Sequence, residues 1–332
     1  MAKPVIAITM GDAAGIGPEL VVKVLAERSV WGACSPFIVG DPETMRGICD
    51  IVGADLRFKP IGELSEAAFS PPEVDVLCPE GVCVGEVVWG RVDAGLGRAA
   101  ALCLQEAFAL AGDGQVQGVV SAPLNKEAFH LAGYPHTDDL SYLADLTHSQ
   151  GTFILGAISG AKGSIWTIAV TEHVPFRDIV DLIKKERILW AIGRMHEVLT
   201  KVGIREPRIG VAALNVHAGE GGLFGREEID EIGPAIQAAR GQGIEAEGPV
   251  PADMIFVRAL GGDFDGVVCM YHDQATIARK LQPKEQGATL YMGLPVICGT
   301  TAHGTAFDKA GKGIADPGSL GAALRYTVRL CS

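Results

Sequence analysis

Short apolar, β-rich runs alternate with helical patterns along the whole chain, and that alternation narrows the fold to one class. Val5–Met10 reads as a strand, followed by a glycine-bearing turn and a helix from Pro18 to Glu27, with Pro18 at a favoured first-turn position. Pro36–Val39, Gly118–Val120, Ile209–Leu214, Gly266–Met270 and Pro295–Cys298 read as further strands. Thr152–Ile158 and Ser164–Val170 read as a hairpin. Helices are expected over Asp93–Ala111, Ile179–Thr200, Arg226–Arg240 and Gly318–Val328. Strands alternating with helices imply an α/β fold with a largely parallel sheet. In such sheets ligands bind beyond the carboxyl ends of the strands. The glycine turn Gly11–Gly17 and the segment Ser121–Lys126 both sit just there.

Bulk composition removes several classes of function. The chain has 332 residues, 48% hydrophobic and 20% charged, enough for a sizeable core. A net charge of −12 argues against nucleic-acid binding, which needs a basic stripe, but leaves an anionic small substrate open. The 8 cysteines form no Cys-x-x-Cys pair, so neither a zinc ribbon nor a disulfide framework is expected. The first residues run straight into a strand, and no apolar stretch is long enough to span a bilayer. A soluble cytoplasmic protein without membrane partners is the expectation.

Three histidines follow three of the expected strands: His173 in Thr-Glu-His-Val-Pro, His217 in Asn-Val-His-Ala-Gly-Glu-Gly-Gly, and His272 in Met-Tyr-His-Asp-Gln. Neutral imidazole is the commonest metal ligand, and three of them make an open catalytic site rather than a closed structural one. Any one of them alone reads more readily as an ordinary core or surface histidine, and it is the set that shifts the balance. Asp273, next to His272, has the chemistry to orient a ring or to act as a base. Lys126 and Lys280 have the chemistry to hold an anion or move a proton, although a solvated lysine is the commoner fate. His136 lies in a polar turn suited to ligand contact. The turn Gly11–Gly17 is neither a Gly-x-Gly-x-x-Gly fingerprint nor a P-loop, and read alone it is equally a structural turn.

Taken together, the segments Ile8–Glu19, Ala122–Lys126, His136-Thr137, Thr171–Pro175, Leu214–Gly222, Pro251-Ala252-Asp253, Met270–Gln274 and Gly304-Thr305-Ala306 resemble the 4-hydroxythreonine-4-phosphate dehydrogenase family and its catabolic relatives. The resemblance implies an isocitrate/isopropylmalate dehydrogenase-like fold, with two α/β domains flanking a cleft. One domain would hold residues 1–140 plus 290–332. The other, 141–289, would carry the metal ligands and dimer contacts. It implies a homodimer whose metal site takes histidines from both subunits, with His173, His217 and His272 as ligands. It places His136, Thr137 and Lys280 on the substrate, Lys280 and Asp273 in proton transfer, and His303, Gly304 and Asp308 in a loop that binds NAD or NADP. The metal would be a divalent ion, with zinc first and cobalt, nickel, manganese or magnesium as alternatives.

The implied reaction is oxidation of a secondary alcohol beside a carboxylated carbon, followed by decarboxylation. Counted in register, Thr289 and Cys298 stand where relatives acting on phosphorylated substrates carry asparagine and arginine, which removes a fixed anion clamp. Asp138-Asp139 also adds a carboxylate. These departures point to a cis-dihydrodiol of an aromatic dicarboxylic acid such as terephthalate as the substrate. The alternative is 4-hydroxythreonine 4-phosphate or a related phospho-hydroxyacid. A binding protein that kept the fold without the chemistry is a third possibility.

Overall fold

The computed structural model describes residues 3–282 and 287–331. Among them the strands run β1 (Val5–Thr9), β2 (Ser35–Val39), β3 (Arg57–Ile61), β4 (Glu73–Leu77), β5 (Gly118–Ser121), β6 (Phe153–Gly160), β7 (Gly163–Thr171), β8 (Ile209–Ala212), β9 (Ala246–Val250), β10 (Gly266–Tyr271), β11 (Ala288–Met292) and β12 (Ile297–Thr300). The chain forms two compact units. The first runs to Phe153 and resumes at Ala288, and the second is Ile154–Gly287.

In the first unit the strand order is β3-β4-β2-β1-β5-β12-β11. All neighbours are parallel except β11, which runs antiparallel to β12. The second unit has the order β6-β7-β10-β8-β9, with the β6–β7 pair antiparallel and the rest parallel. Strands β5, β8 and β12 are buried along their whole length, as parallel strands covered on both faces must be. The α/β expectation therefore holds, with a mixed rather than wholly parallel sheet.

Helix starts follow local capping chemistry. Asp41, Asp93, Asn125 and Asp138 each accept a backbone N–H at the start of a helix. Two expected helices are modified. The run from Ile179 breaks after Leu182, where buried Ile183 is extended, and restarts as Lys185–Lys201. The Glu231 carboxylate caps the restart by accepting the Lys185 N–H at 2.7 Å. The Arg226–Arg240 pattern begins as a π-helical turn, Glu228–Ile232, and continues as an α-helix, Gly233–Gly241. Pro234 lacks the N–H that an α-helical bond to Asp230 would use, so the wider turn is favoured there. The last strand also begins two residues late, at Ile297. No helix among the described residues is long and apolar enough to cross a membrane.

The long helix Ala94–Gly112 packs backbone to backbone on Lys126–Leu131. A Cβ on Gly97 would collide with the Ala128 carbonyl, whereas one on Gly112 would meet nothing within 4 Å. Alanine raises helix propensity by up to about 1 kcal/mol at either site. At Gly97, however, overpacking of roughly 1–3 kcal/mol should win. Gly97→Ala is therefore expected to lower Tm and Gly112→Ala to leave it level or higher, measured by thermal melts. Equal behaviour of the two variants would contradict this packing.

Candidate active site

Three adjacent parallel strands of the second unit, β7, β10 and β8, deliver the three histidines. Tyr271 pairs in register with Thr171, so His272 and His173 leave neighbouring strand ends side by side. Their rings lie 5.7 Å apart between centroids, tilted by 45°. Glu172 joins them, and one donor atom from each of Glu172, His173 and His272 lies within 4.8 Å of the others. Two donors each 2.0–2.2 Å from a zinc ion stand at most about 4.4 Å apart, so this set is close to ligation spacing. Two imidazoles and a carboxylate are a donor set that divalent transition metals accept. The residues therefore fit a metal. They border a cavity of about 170 Å³ that is also walled by Phe176, Ile179 and Tyr271.

The surroundings fix these side chains. Asp273 Oδ1 lies 2.7 Å from His272 Nδ1 and holds the ring from its far side. Gln274 accepts the Met270 N–H at 2.8 Å and donates to the Ala213 carbonyl at 2.9 Å, which ties the ends of β10 and β8 together. Arg187 Nε donates to the Val170 carbonyl at 2.5 Å. Burial pushes the Tyr271 phenol up, with Asp273 adding to the effect.

His217 is not in that group. It lies five residues beyond β8, with its side chain 62% exposed and Nδ1 3.4 Å from Glu220 Oε1. The chain from His217 to Gly221 has positive φ at all five residues, a left-handed turn. Each non-glycine residue in that conformation costs roughly 1–2 kcal/mol, and three of the five carry side chains. His173 also has positive φ, 33°. Strain of this kind persists only where surrounding contacts enforce it, and it clusters at functional sites.

Lys280 is exposed at the last position of the helix His272–Lys280, about 12 Å along the axis from His272. The first unit holds the other expected residues. His136 is half-buried, edge-on to Tyr142 at 5.3 Å and 3.3 Å from Asp145 Oδ2, and Thr137 beside it is exposed. The loop carrying His303, Gly304 and Asp308 lies on the first glycine turn, where Ile16 N–H donates to the Thr305 carbonyl at 3.0 Å. Its far end is clamped by the buried Glu19 and the half-buried Lys23. Lys23 Nζ reaches Glu19 at 2.7 Å and the Gly313 and Ala315 carbonyls at 2.9 and 2.6 Å, while Glu19 accepts the Ala315 N–H at 2.6 Å.

Residues 32–327 match the family described as pyridoxal phosphate biosynthetic protein PdxA. The chain belongs to this family. It is 42% identical to a D-threonate 4-phosphate dehydrogenase of Cupriavidus necator, covering 99% of this chain and 98% of that one. A solved 4-hydroxythreonine-4-phosphate dehydrogenase from Burkholderia phymatum is 39% identical with a TM-score of 0.83, covering 99% of both chains. A terephthalate 1,2-cis-dihydrodiol dehydrogenase from Burkholderia xenovorans is more distant, 28% identical with a TM-score of 0.64, covering 99% of this chain and 97% of that one. The chain is an NAD(P)-dependent dehydrogenase acting on a CH–OH group.

These findings favour the phosphorylated alternative over the dihydrodiol expectation, and the structure shows where the argument for the latter fails. Cys298 is fully buried in β12, between β5 and β11, and burial pushes its thiol far above the usual range. It is a core side chain in this fold. The carboxylate of Asp139 is paired with Lys126 and accepts the Tyr291 hydroxyl at 3.3 Å. Asp138 caps the following helix through the Ser141 N–H. Neither acid stands as an uncompensated repeller of anions. Sequence reasoning also missed Glu172, Gln274 and Glu228. Glu172 and Gln274 carried a signal, since they lie inside the Thr171–Pro175 and Met270–Gln274 matches, and Glu228 carried none.

Asp12 in the glycine turn is 1% exposed. Its Oδ1 accepts the Ala14 N–H at 2.9 Å, while Oδ2 has no partner among the described residues. Burial pushes this carboxyl up to about 6, partly opposed by the Ala14 N–H and increased by Asp93. A carboxyl raised on folding stabilises the protein below its unfolded pKa, and that contribution is lost as pH rises through the folded value. Asp12→Asn should therefore match wild type near pH 4 and exceed it at pH 7.5 by something on the order of 3 kcal/mol. Denaturant unfolding at both pH values checks this, and a difference independent of pH would refute it.

Proposed function

We propose that this protein oxidises the secondary alcohol of a 4-phosphorylated hydroxy acid, of the D-threonate 4-phosphate or 4-hydroxythreonine 4-phosphate type, and decarboxylates the product. The observation that carries this reading is the convergence of Glu172, His173 and His272 in a chain 42% identical to a D-threonate 4-phosphate dehydrogenase. A divalent metal bound there, zinc first among the candidates, would acidify the substrate hydroxyl and stabilise the enolate that forms as carbon dioxide leaves. NAD or NADP would accept the hydride.

The chain's own residues prepare that chemistry. Asp273 holds His272 through Nδ1 and leaves Nε2 to face a ligand. Tyr271 walls the cavity beside the two histidines. Lys280 shares a rigid helix with His272, so its distance from the metal ligands is set by helix geometry. We assign it the anionic end of the substrate and the proton that the enolate carbon takes up. His136 and Thr137 are the proposed further substrate contacts. His303, Gly304 and Asp308, on the loop clamped by Glu19 and Lys23, are proposed to meet the cofactor.

The working form is proposed to be a homodimer, with His217 contributed across the interface. Its support is the apolar surface of the second unit, where Phe176, Leu223 and Leu281 are 76%, 74% and 78% exposed.

Purified enzyme should turn over D-threonate 4-phosphate or 4-hydroxythreonine 4-phosphate with kcat/KM at least about 100-fold above terephthalate cis-dihydrodiol. Chelation should abolish turnover and added zinc or cobalt should restore it. Lys280→Met should cut kcat by about 100-fold or more while zinc content stays at the wild-type level. Preference for the dihydrodiol, or turnover unaffected by chelation, would contradict the reading.

A further inference from the structure

The left-handed turn His217–Gly221 is held from beneath by one buried carboxylate. Glu228 is 5% exposed and sits in the first π-helical turn of its helix. Its Oε1 accepts the backbone N–H groups of Leu214 and Asn215 at 2.9 and 2.7 Å, just past the end of β8. Its Oε2 accepts the Asn215 side-chain amide at 2.9 Å. The same Oε2 lies 2.8 Å from where a Cβ on Gly219 would stand. One side chain therefore spans from the strand end to the middle of the strained turn, and His217 lies between those two points. Within the turn, by contrast, the backbone bonds that close it are long. Ala218 N–H reaches Asn215 O at 3.2 Å and Phe224 N–H reaches Gly219 O at 3.2 Å.

We propose that Glu228 is a positioning residue that fixes the His217 imidazole for metal binding, with the Asn215 amide as its relay. The inference rests on the reading of His217 as a metal ligand. A buried carboxylate with three donors on it is rigid, because moving it strands a charge without partners. Glu228→Gln keeps the volume and an oxygen for the two backbone N–H groups. It turns an N–H₂ toward the Asn215 N–H₂, a donor facing a donor, which leaves that amide only its 2.6 Å bond to Glu227 Oε2 and loosens the segment that carries His217. Gly219→Ala attacks the same contact from the other side by placing a methyl against Oε2, and it adds the strain of a side chain at φ 77°.

The test is zinc affinity, measured on the full-length protein by competition with a chromophoric chelator. It covers Glu228→Gln, Gly219→Ala, His217→Ala and the double variants with His217→Ala, with folding checked by circular dichroism. Glu228→Gln and Gly219→Ala are each expected to weaken zinc binding by tenfold or more. Neither should weaken it further when His217 is already alanine, because a residue that acts through His217 has nothing left to act on. Wild-type affinity in both variants would overturn the inference. So would an equal additional loss in the His217→Ala background, which would mark Glu228 as support for the unit at large. Wild-type affinity in His217→Ala itself would overturn the reading of His217 as a ligand, and the inference with it. If Glu228→Gln does not fold, Asn215→Ala, which removes the relay amide at a residue of ordinary φ, takes its place: a tenfold loss supports the inference and wild-type affinity overturns it.

Discussion

The parallel register of β7 and β10, with Thr171 opposite Tyr271, sets the spacing on which the proposed chemistry depends. Two strands about 4.8 Å apart, ending level, can place their next side chains within reach of one ion. The backbone supplies this spacing whatever the loops do. Thr171 Oγ1 reinforces the pair by donating to the Met270 carbonyl at 2.9 Å. Because β7, β8 and β10 are buried for nearly all of their length, sliding one strand past another would expose apolar side chains and unpair ladder groups. The metal candidates thus inherit their precision from the core of the second unit.

From the strand ends outward, stability is exchanged for geometry. His173 and His217 both have left-handed backbone, a conformation that side-chain-bearing residues adopt only under constraint. Beneath the His217 turn the constraint is the buried carboxylate of Glu228, while the half-buried Gln274 ties β10 to β8. The first unit shows the same device in its own loop. There buried Glu19, paired with half-buried Lys23 four residues on, holds the segment through Gly313 and Ala315. Pairing matters in each case, since a buried charge without a partner would cost more than the loop it orders could return.

Much of this is visible in the amino-acid sequence, and the omissions have physical causes. Apolar runs such as Val5–Thr9 and Gly266–Tyr271 are legible because parallel strands are buried on both faces. Strands such as Ala246–Val250, with Glu247 and Pro249, lack that pattern because they lie at the edge of their sheet. The motifs around His173 and His272 are legible, since strand ends followed by polar residues mark the ligand side of such sheets. Glu172 lies inside one of these motifs, but a glutamate before a histidine carries no pattern that marks it as a ligand. Glu228 is likewise invisible in a run of acids, because its role depends on a turn whose handedness no local sequence rule predicts. Cys298 misleads in the opposite direction. Counting along the chain matches positions but not environments, and a thiol in the middle of a buried strand is not evidence about an anion's surroundings.

The central claim is that His173 and His272 form the core of a metal site at the ends of β7 and β10. Anomalous diffraction at the zinc edge, on crystals of the zinc-loaded active enzyme, tests it most directly. The account predicts a peak about 2.0–2.2 Å from an imidazole nitrogen of each of these two histidines. A fully loaded, active enzyme with its zinc elsewhere and these two rings unligated would contradict it.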